Sequence, residues 1–89
     1  MQNTIWKFTF NEKDVFEFTM PKGAKILTLQ RQHNLNCIWA WVNPAAETEK
    51  RTFAIFGTGH PIPITVKQEN YIGTYQVYSG QLVFHLFEI

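Results

Sequence analysis

The sequence predicts one small all-β domain, an antiparallel β-sandwich or partly closed barrel of about seven strands that is rich in hairpins. Two observations predict this fold class. Apolar and polar side chains alternate with a period of two along most of the chain, whereas a helical period is hard to find. Glycine, proline and asparagine separate the alternating segments at short intervals. Because the chain has 89 residues, we expect a single domain over residues 1–89.

The first two predicted strands, residues 4–10 and 15–20, are expected to form a hairpin. Phe8 and Phe10 share one face of the first strand, and the second strand resumes the same alternation. Residues 11–14 between them are polar, which is typical of a turn.

Five further strands are predicted from the same alternation. They cover residues 24–33, 37–42, 51–56, 71–78 and 82–88. Turn-forming residues predict the connections. These are a break at 21–23, a turn at 34–36, a surface loop at 43–50 with room for one helical turn at 45–50, a connection at 57–64 and a hairpin turn at 79–80.

Three of the later strands are apolar on both faces. In residues 37–42, for example, Trp39 and Trp41 lie on one face and Ile38 and Ala40 on the other. A half-exposed antiparallel strand would alternate instead. A wrapped barrel, a second chain or a ligand could cover the second face, and the alternative is that loops and the segment 43–50 cover it. We favour a homo-oligomer, a dimer or higher, because large apolar patches are seldom left to solvent.

Composition excludes several classes of partner. The formal net charge of +1 argues against a broad electrostatic grip on duplex nucleic acid or on an anionic membrane. No apolar run approaches the roughly 18–20 residues of a membrane span. The N-terminal residues lack the pattern of a signal peptide, and Cys37 is the only cysteine, so we expect a cytoplasmic protein without a disulfide.

No catalytic pattern is found in the sequence. Most of the seven acidic residues fall in predicted turns or loops. The three histidines, His33, His60 and His85, have no carboxylate or cysteine at a spacing typical of metal ligands. The sequence therefore predicts a binding protein rather than an enzyme, with no metal site and no cofactor.

The first candidate site is the glycine-containing segment formed by Gly57, Thr58, Gly59 and His60. Two glycines permit positive backbone φ angles, so that successive N–H groups could converge on a phosphate or carboxylate. Thr58 adds a hydroxyl group, His60 an imidazole, and Arg51 at the start of the preceding strand a cation. The alternative is that the glycines only let the chain turn a tight corner.

The second candidate site is aromatic. Trp39 and Trp41 are two residues apart on a predicted strand, so that their rings share a face about 6.6–6.8 Å apart, a gap suited to a flat ring. Stacking of a base on such a ring needs no net charge. Tyr71 could add a further ring. The alternative is that the tryptophans belong to the core.

Several segments together resemble a family of small proteins that tailed bacteriophages and some bacteria encode, catalogued as a domain of unknown function. These are IWK at 5–7, MPKGAKIL at 20–27, RTFAIFGTGHPI at 51–62, YIGT at 71–74 and LVFH at 82–85. The resemblance implies a viral or prophage accessory protein in the host cytoplasm. It brings no activity and no functional residues with it.

This setting leads to two functional hypotheses. The first is a sponge that sequesters an anionic nucleotide of host defence, such as a cyclic oligonucleotide. Its phosphate would lie at the glycine-containing segment beside Arg51, and its base on Trp39, Trp41 or Tyr71. The second is a protein–protein inhibitor or virion accessory module that docks through its apolar strand faces.

Overall fold

A computed structural model describes residues 2–89 as two antiparallel β-sheets packed face to face. The prediction of a seven-stranded antiparallel sandwich is confirmed, and the sheets do not close into a barrel. The strands are β1 (Thr4–Phe10), β2 (Val15–Pro21), β3 (Lys25–Gln32), β4 (Leu35–Val42), β5 (Thr48–Gly57), β6 (Tyr71–Val77) and β7 (Leu82–Glu88), with a short 3-10 helix at Gln68–Asn70. One sheet has the order β1-β4-β3 and the other β2-β5-β7-β6.

The predicted hairpin between β1 and β2 is wrong. These strands belong to different sheets, β1 pairing with β4 and β2 with β5. Their aromatic side chains meet across the sandwich instead, with ring centroids 5.2 Å apart for Phe8 and Phe18 and 4.7 Å apart for Phe10 and Phe16. Alternation fixes which face of a strand is buried but does not fix its hydrogen-bonded partner.

Of two predicted turns, one shifts in the structure and the other is confirmed. The turn between β3 and β4 lies at His33 and Asn34, not at 34–36, and both residues have positive φ angles, 52° and 63°. Positive φ at both central residues matches the right-handed twist of a two-residue hairpin, and asparagine tolerates it well. The hairpin turn at 79–80 is confirmed between β6 and β7, where the Gln81 N–H donates to the Tyr78 carbonyl over 3.1 Å.

The segment 45–50, which had room for one helical turn, does not form one. Strand β5 already begins at Thr48, and its polar first half pairs with β2, where Lys50 lies opposite Thr19. The loop between β4 and β5 is accordingly short. A hydrogen bond of 2.7 Å from the Lys22 N–H to the Glu47 carbonyl fastens it to the turn after β2.

The core lies between the two sheets. Its largest fully buried side chains come from both layers, and burial of each contributes roughly 1.5–3 kcal/mol to stability. They include Phe53, Met20, Ile38, Leu86 and Val42.

Tyr75 is the polar exception in this core. It is 5% exposed, and its hydroxyl group has no hydrogen-bond partner within residues 2–89. Burial, with a smaller contribution from the Glu12 carboxylate, raises the pKa of Tyr75 above its ordinary value. An unpaired buried hydroxyl group destabilises a fold by about 1–3 kcal/mol.

We therefore expect Tyr75→Phe to raise the free energy of unfolding by about 1 kcal/mol at neutral pH, measured by urea denaturation. The difference from the native protein should grow above pH of about 10, where the unfolded chain loses the tyrosine proton that the folded protein still binds. Native stability thus falls with rising pH there, and the variant lacks this contribution. A loss of stability in Tyr75→Phe would mean that the hydroxyl group is hydrogen-bonded in solution.

Candidate functional site

A cavity of about 870 Å³ lies between β5 and the segment 58–70, which passes β7 on its way from β5 to β6. Strand β5 forms one wall, and the crossing segment forms another. The start of β2 and the end of β7 complete the site. The lining residues are Asp14, Val15, Thr52, Ala54, Ile55, Phe56, Gly57, His60, Pro61, Pro63, Thr65, Val66, Lys67, Asn70, Phe84, Glu88 and Ile89.

The crossing segment begins with a tight turn from Gly57 to His60. The His60 N–H donates to the Gly57 carbonyl over 3.0 Å, and Gly59 has a φ of +85°, as in a type II turn. The Thr58 N–H donates to the Val83 carbonyl over 3.1 Å. The converging N–H groups predicted here are therefore not found. Gly57 does not have a positive φ angle. Gly59 does, and it serves the tight turn that the sequence predicts as the alternative.

His60 packs against the backbone of Gly57. A Cβ atom at Gly57 would lie 2.9 Å from the Nδ1 atom of His60, which is too close for any other residue type without movement of the ring. Both residues line the cavity, and Pro61 follows directly. Gly57 thus allows the imidazole to lie against β5 at the cavity wall, where it can donate or accept a hydrogen bond.

The charged residues of the cavity are Asp14, Lys67 and Glu88. Glu88 is paired with Arg51, whose Nε and Nη2 atoms donate to its carboxylate over 2.5 and 2.9 Å. A third bond of 2.5 Å runs from Arg51 to the Ala24 carbonyl. The Glu88 carboxylate raises the pKa of Arg51 above its ordinary value.

Arg51 does not line the cavity, and its guanidinium group is occupied by these three bonds. The cation at the cavity is Lys67 instead. Lys67 follows the predicted connection 57–64, and no local pattern singles it out, because its position depends on the path of the chain between β5 and β6.

Thr58 and Tyr71 belong to a hydrogen-bonded chain outside the cavity. Thr58 Oγ1 lies 2.7 Å from His85 Nε2, and His85 Nδ1 lies 2.8 Å from Thr74 Oγ1. Thr74 Oγ1 is in turn 2.6 Å from the Tyr71 hydroxyl group. Both nitrogen atoms of His85 are therefore engaged. Periodicity alone could not reveal this chain, since it depends on β7 placing His85 opposite Thr74 of β6.

Trp39 and Trp41 lie on the outer face of the three-stranded sheet, on the other side of the sandwich from the cavity. Their neighbours in the strand, Ile38 and Ala40, are fully buried between the sheets. Trp41 is 50% exposed, so the core alternative is wrong for this residue. Within one chain, the structure does not bring the tryptophans together with Gly57 and His60.

Residues 2–89 contain no group of three His, Cys, Asp or Glu side chains placed to share a metal ion. Among the same residues, no helix has the length and apolar character to cross a membrane.

Comparison with known proteins places the chain in a family. A family model described as "Domain of unknown function (DUF7352)" matches residues 1–89. The chain belongs to the DUF7352 family. No curated protein and no solved structure matches it. Membership of DUF7352 confirms the resemblance to an uncharacterised domain family.

Proposed function

We propose that this chain is a non-catalytic binding domain that sequesters a nucleotide in the cavity between β5 and the segment 58–70. The observation that carries the proposal is the cavity itself. Its volume of about 870 Å³ lies within the roughly 300–1,000 Å³ typical of small-molecule sites. Its walls are mainly apolar with a few polar side chains, which is the usual composition of such sites.

The lining suits the two parts of a nucleotide. Phe56, Pro61 and Val66 offer apolar surface to a base. Lys67 and His60 supply the donors for a phosphate group. The negative charge of Glu88, which would oppose an anion, is offset by its pairing with Arg51. In this arrangement Arg51 acts on the ligand only through Glu88.

The biological role we propose is that of a sponge encoded by a phage or prophage, which binds a cyclic nucleotide of host defence in the host cytoplasm and releases it unchanged. This role rests on the resemblance to phage-encoded proteins and on the cavity.

A thermal-shift screen against mononucleotides, cyclic dinucleotides and cyclic trinucleotides tests the proposed role. A ligand at about 100 times its Kd adds roughly 2.7 kcal/mol of stability. The bound nucleotide should be recovered intact.

We expect Lys67→Gln and His60→Ala each to weaken the binding of the nucleotide identified in that screen about tenfold, because each removes a donor to the phosphate. Isothermal titration calorimetry measures this. Lys22→Gln, which removes an equal charge outside the cavity, is the matched control and should bind like the native protein. Unchanged affinity in both cavity variants would refute this site, and a screen without any shift would refute the nucleotide.

A second candidate function is protein–protein inhibition or a virion accessory role. The observation that favours it is Ile64, which is 99% exposed beside Pro63 in the crossing segment, with Ile62 45% exposed. An apolar side chain held out by prolines suits insertion into a partner's pocket. A screen without shifts, together with a stable complex in a pull-down from infected cells that Ile64→Ser abolishes, would support this candidate.

A further inference from the structure

The outer face of the three-stranded sheet combines the exposed Trp41 and the partly exposed Trp39 with exposed lysine side chains. Register places Trp41 between Ile5 of β1 and Lys25 of β3. Trp39, two residues earlier on the same face, lies opposite Lys7 of β1. The tryptophans therefore occupy the central strand, and one lysine stands on either side of them.

The charge of this sheet has one sign. None of the seven acidic residues lies in β1, β3 or β4, all of which fall within the described part of the chain. Among residues 2–89, neither Lys7 nor Lys25 makes an ion pair. The Lys7 ammonium group donates to Gln32 Oε1 over 2.9 Å, and this bond crosses β4 above Cys37, which is fully buried. The face thus presents uncompensated positive charge beside two indole rings.

We propose that this face binds single-stranded nucleic acid, with bases stacked on Trp39 and Trp41 and phosphates beside Lys7 and Lys25. Residues two apart on a strand lie about 6.6–6.8 Å apart, a gap suited to one flat ring between the exposed Trp41 and the partly exposed Trp39. Stacking contributes about 1–3 kcal/mol per base and tolerates any sequence. Because a duplex keeps its bases stacked inside, the same face should bind duplex nucleic acid more weakly than a single strand.

A second copy of the chain fits this surface less well. In a two-fold dimer the same patch meets itself, so Lys7 and Lys25 of both copies would be brought together. Like charges facing each other in an interface oppose association. An anionic partner with flat rings can pair its charge with the lysines and stack its rings on the indoles. The site lies on the opposite side of the sandwich from the cavity, so it stands or falls independently of the proposed function.

Fluorescence anisotropy with a labelled oligo-dT of about 12 nucleotides tests the proposal, since single-strand sites span roughly 4–16 nucleotides. We expect a Kd of about 10⁻⁴ to 10⁻⁶ M and weaker binding of the matched duplex. Two phosphates neutralised by two lysines predict a slope of log K against log salt of about −1.4.

Substitutions separate the stacking from the charge. Trp39→Ala and Trp41→Ala should each weaken binding about tenfold or more. Trp6→Ala is the matched control, because Trp6 lies opposite Ala40 on the other face of the same sheet and should leave the affinity unchanged. Lys7→Gln and Lys25→Gln should each reduce the size of the salt slope by about 0.7, whereas Lys67→Gln at the cavity should not.

Absence of binding at up to about 1 mM protein in low salt would overturn the proposal. So would binding that survives both tryptophan substitutions. If a tryptophan variant does not fold, the variants of the exposed lysines provide the test. A salt slope equal to that of the native protein in both Lys7→Gln and Lys25→Gln would also overturn the proposal. Sedimentation velocity distinguishes self-association: a native oligomer that Trp41→Ala dissociates would assign the face to a second copy instead.

Discussion

Replacement of Arg51 by methionine is expected to lower the free energy of unfolding by about 3 kcal/mol, because it leaves the Glu88 carboxylate without its cation. The side chains of Arg51 and Glu88 are 16% and 27% exposed, so water can replace the lost partner only in part. The substitution also removes the bond to the Ala24 carbonyl, just before β3 in the other sheet. Arg51 therefore joins β5 to β7 and one sheet to the other.

Thermal and urea denaturation measure this loss, and a fall in Tm of more than about 10 °C is expected for a domain of this size. The informative control is Arg51→Met combined with Glu88→Leu, which removes both charges. The double variant should recover part of the stability, because no unpaired carboxylate remains. If Arg51→Met is as stable as the native protein, the pair is solvated in solution and the sheets are joined without it.

The strands themselves could be predicted from the sequence, whereas their partners could not. Alternation locates β6 and β7 and their turn because each signal is local. The pairing of β1 with β4 depends on contacts between segments about thirty residues apart, which no local pattern records. The alternation that places Phe8 on the buried face is the same whether β1 and β2 pair within one sheet or face each other in two sheets. The facing aromatic rings decide between these arrangements only once the sheets are packed.

The sites divide in the same way. Gly57 and His60, two residues of the predicted segment, line the cavity, but the converging N–H groups expected there are not formed. Lys67 was not predicted, because its position depends on the path of the segment between β5 and β6. The two faces of β4 are both apolar, so the sequence could not tell whether Ile38 or Trp39 points inward. In the structure the smaller aliphatic face packs against the second sheet and the indoles remain outside.

The second large effect is expected where the two sheets approach most closely at β3 and β6. A Cβ atom at Gly73 would lie 3.1 Å from Leu29 Cβ and 3.2 Å from Leu29 Cδ2. The Cδ2 atom can rotate away, but the Cβ atom is fixed to the backbone of β3. Gly73→Ala must therefore shift β3 and β6 by a few tenths of an ångström, and we expect overpacking of this kind to destabilise by about 1–3 kcal/mol.

Urea denaturation of Gly73→Ala should show a loss of about 2 kcal/mol. Adding Leu29→Ala should relieve only the contact with Cδ2. The double variant should therefore lose less stability than the sum of the losses of the two single variants, but it should remain less stable than Leu29→Ala alone. Gln76→Ala, an exposed substitution in the same strand, is the control and should change stability by less than about 0.5 kcal/mol. If Gly73→Ala is as stable as the native protein, β3 and β6 can move apart at no cost in free energy. The close approach of these two strands would then not contribute to stability.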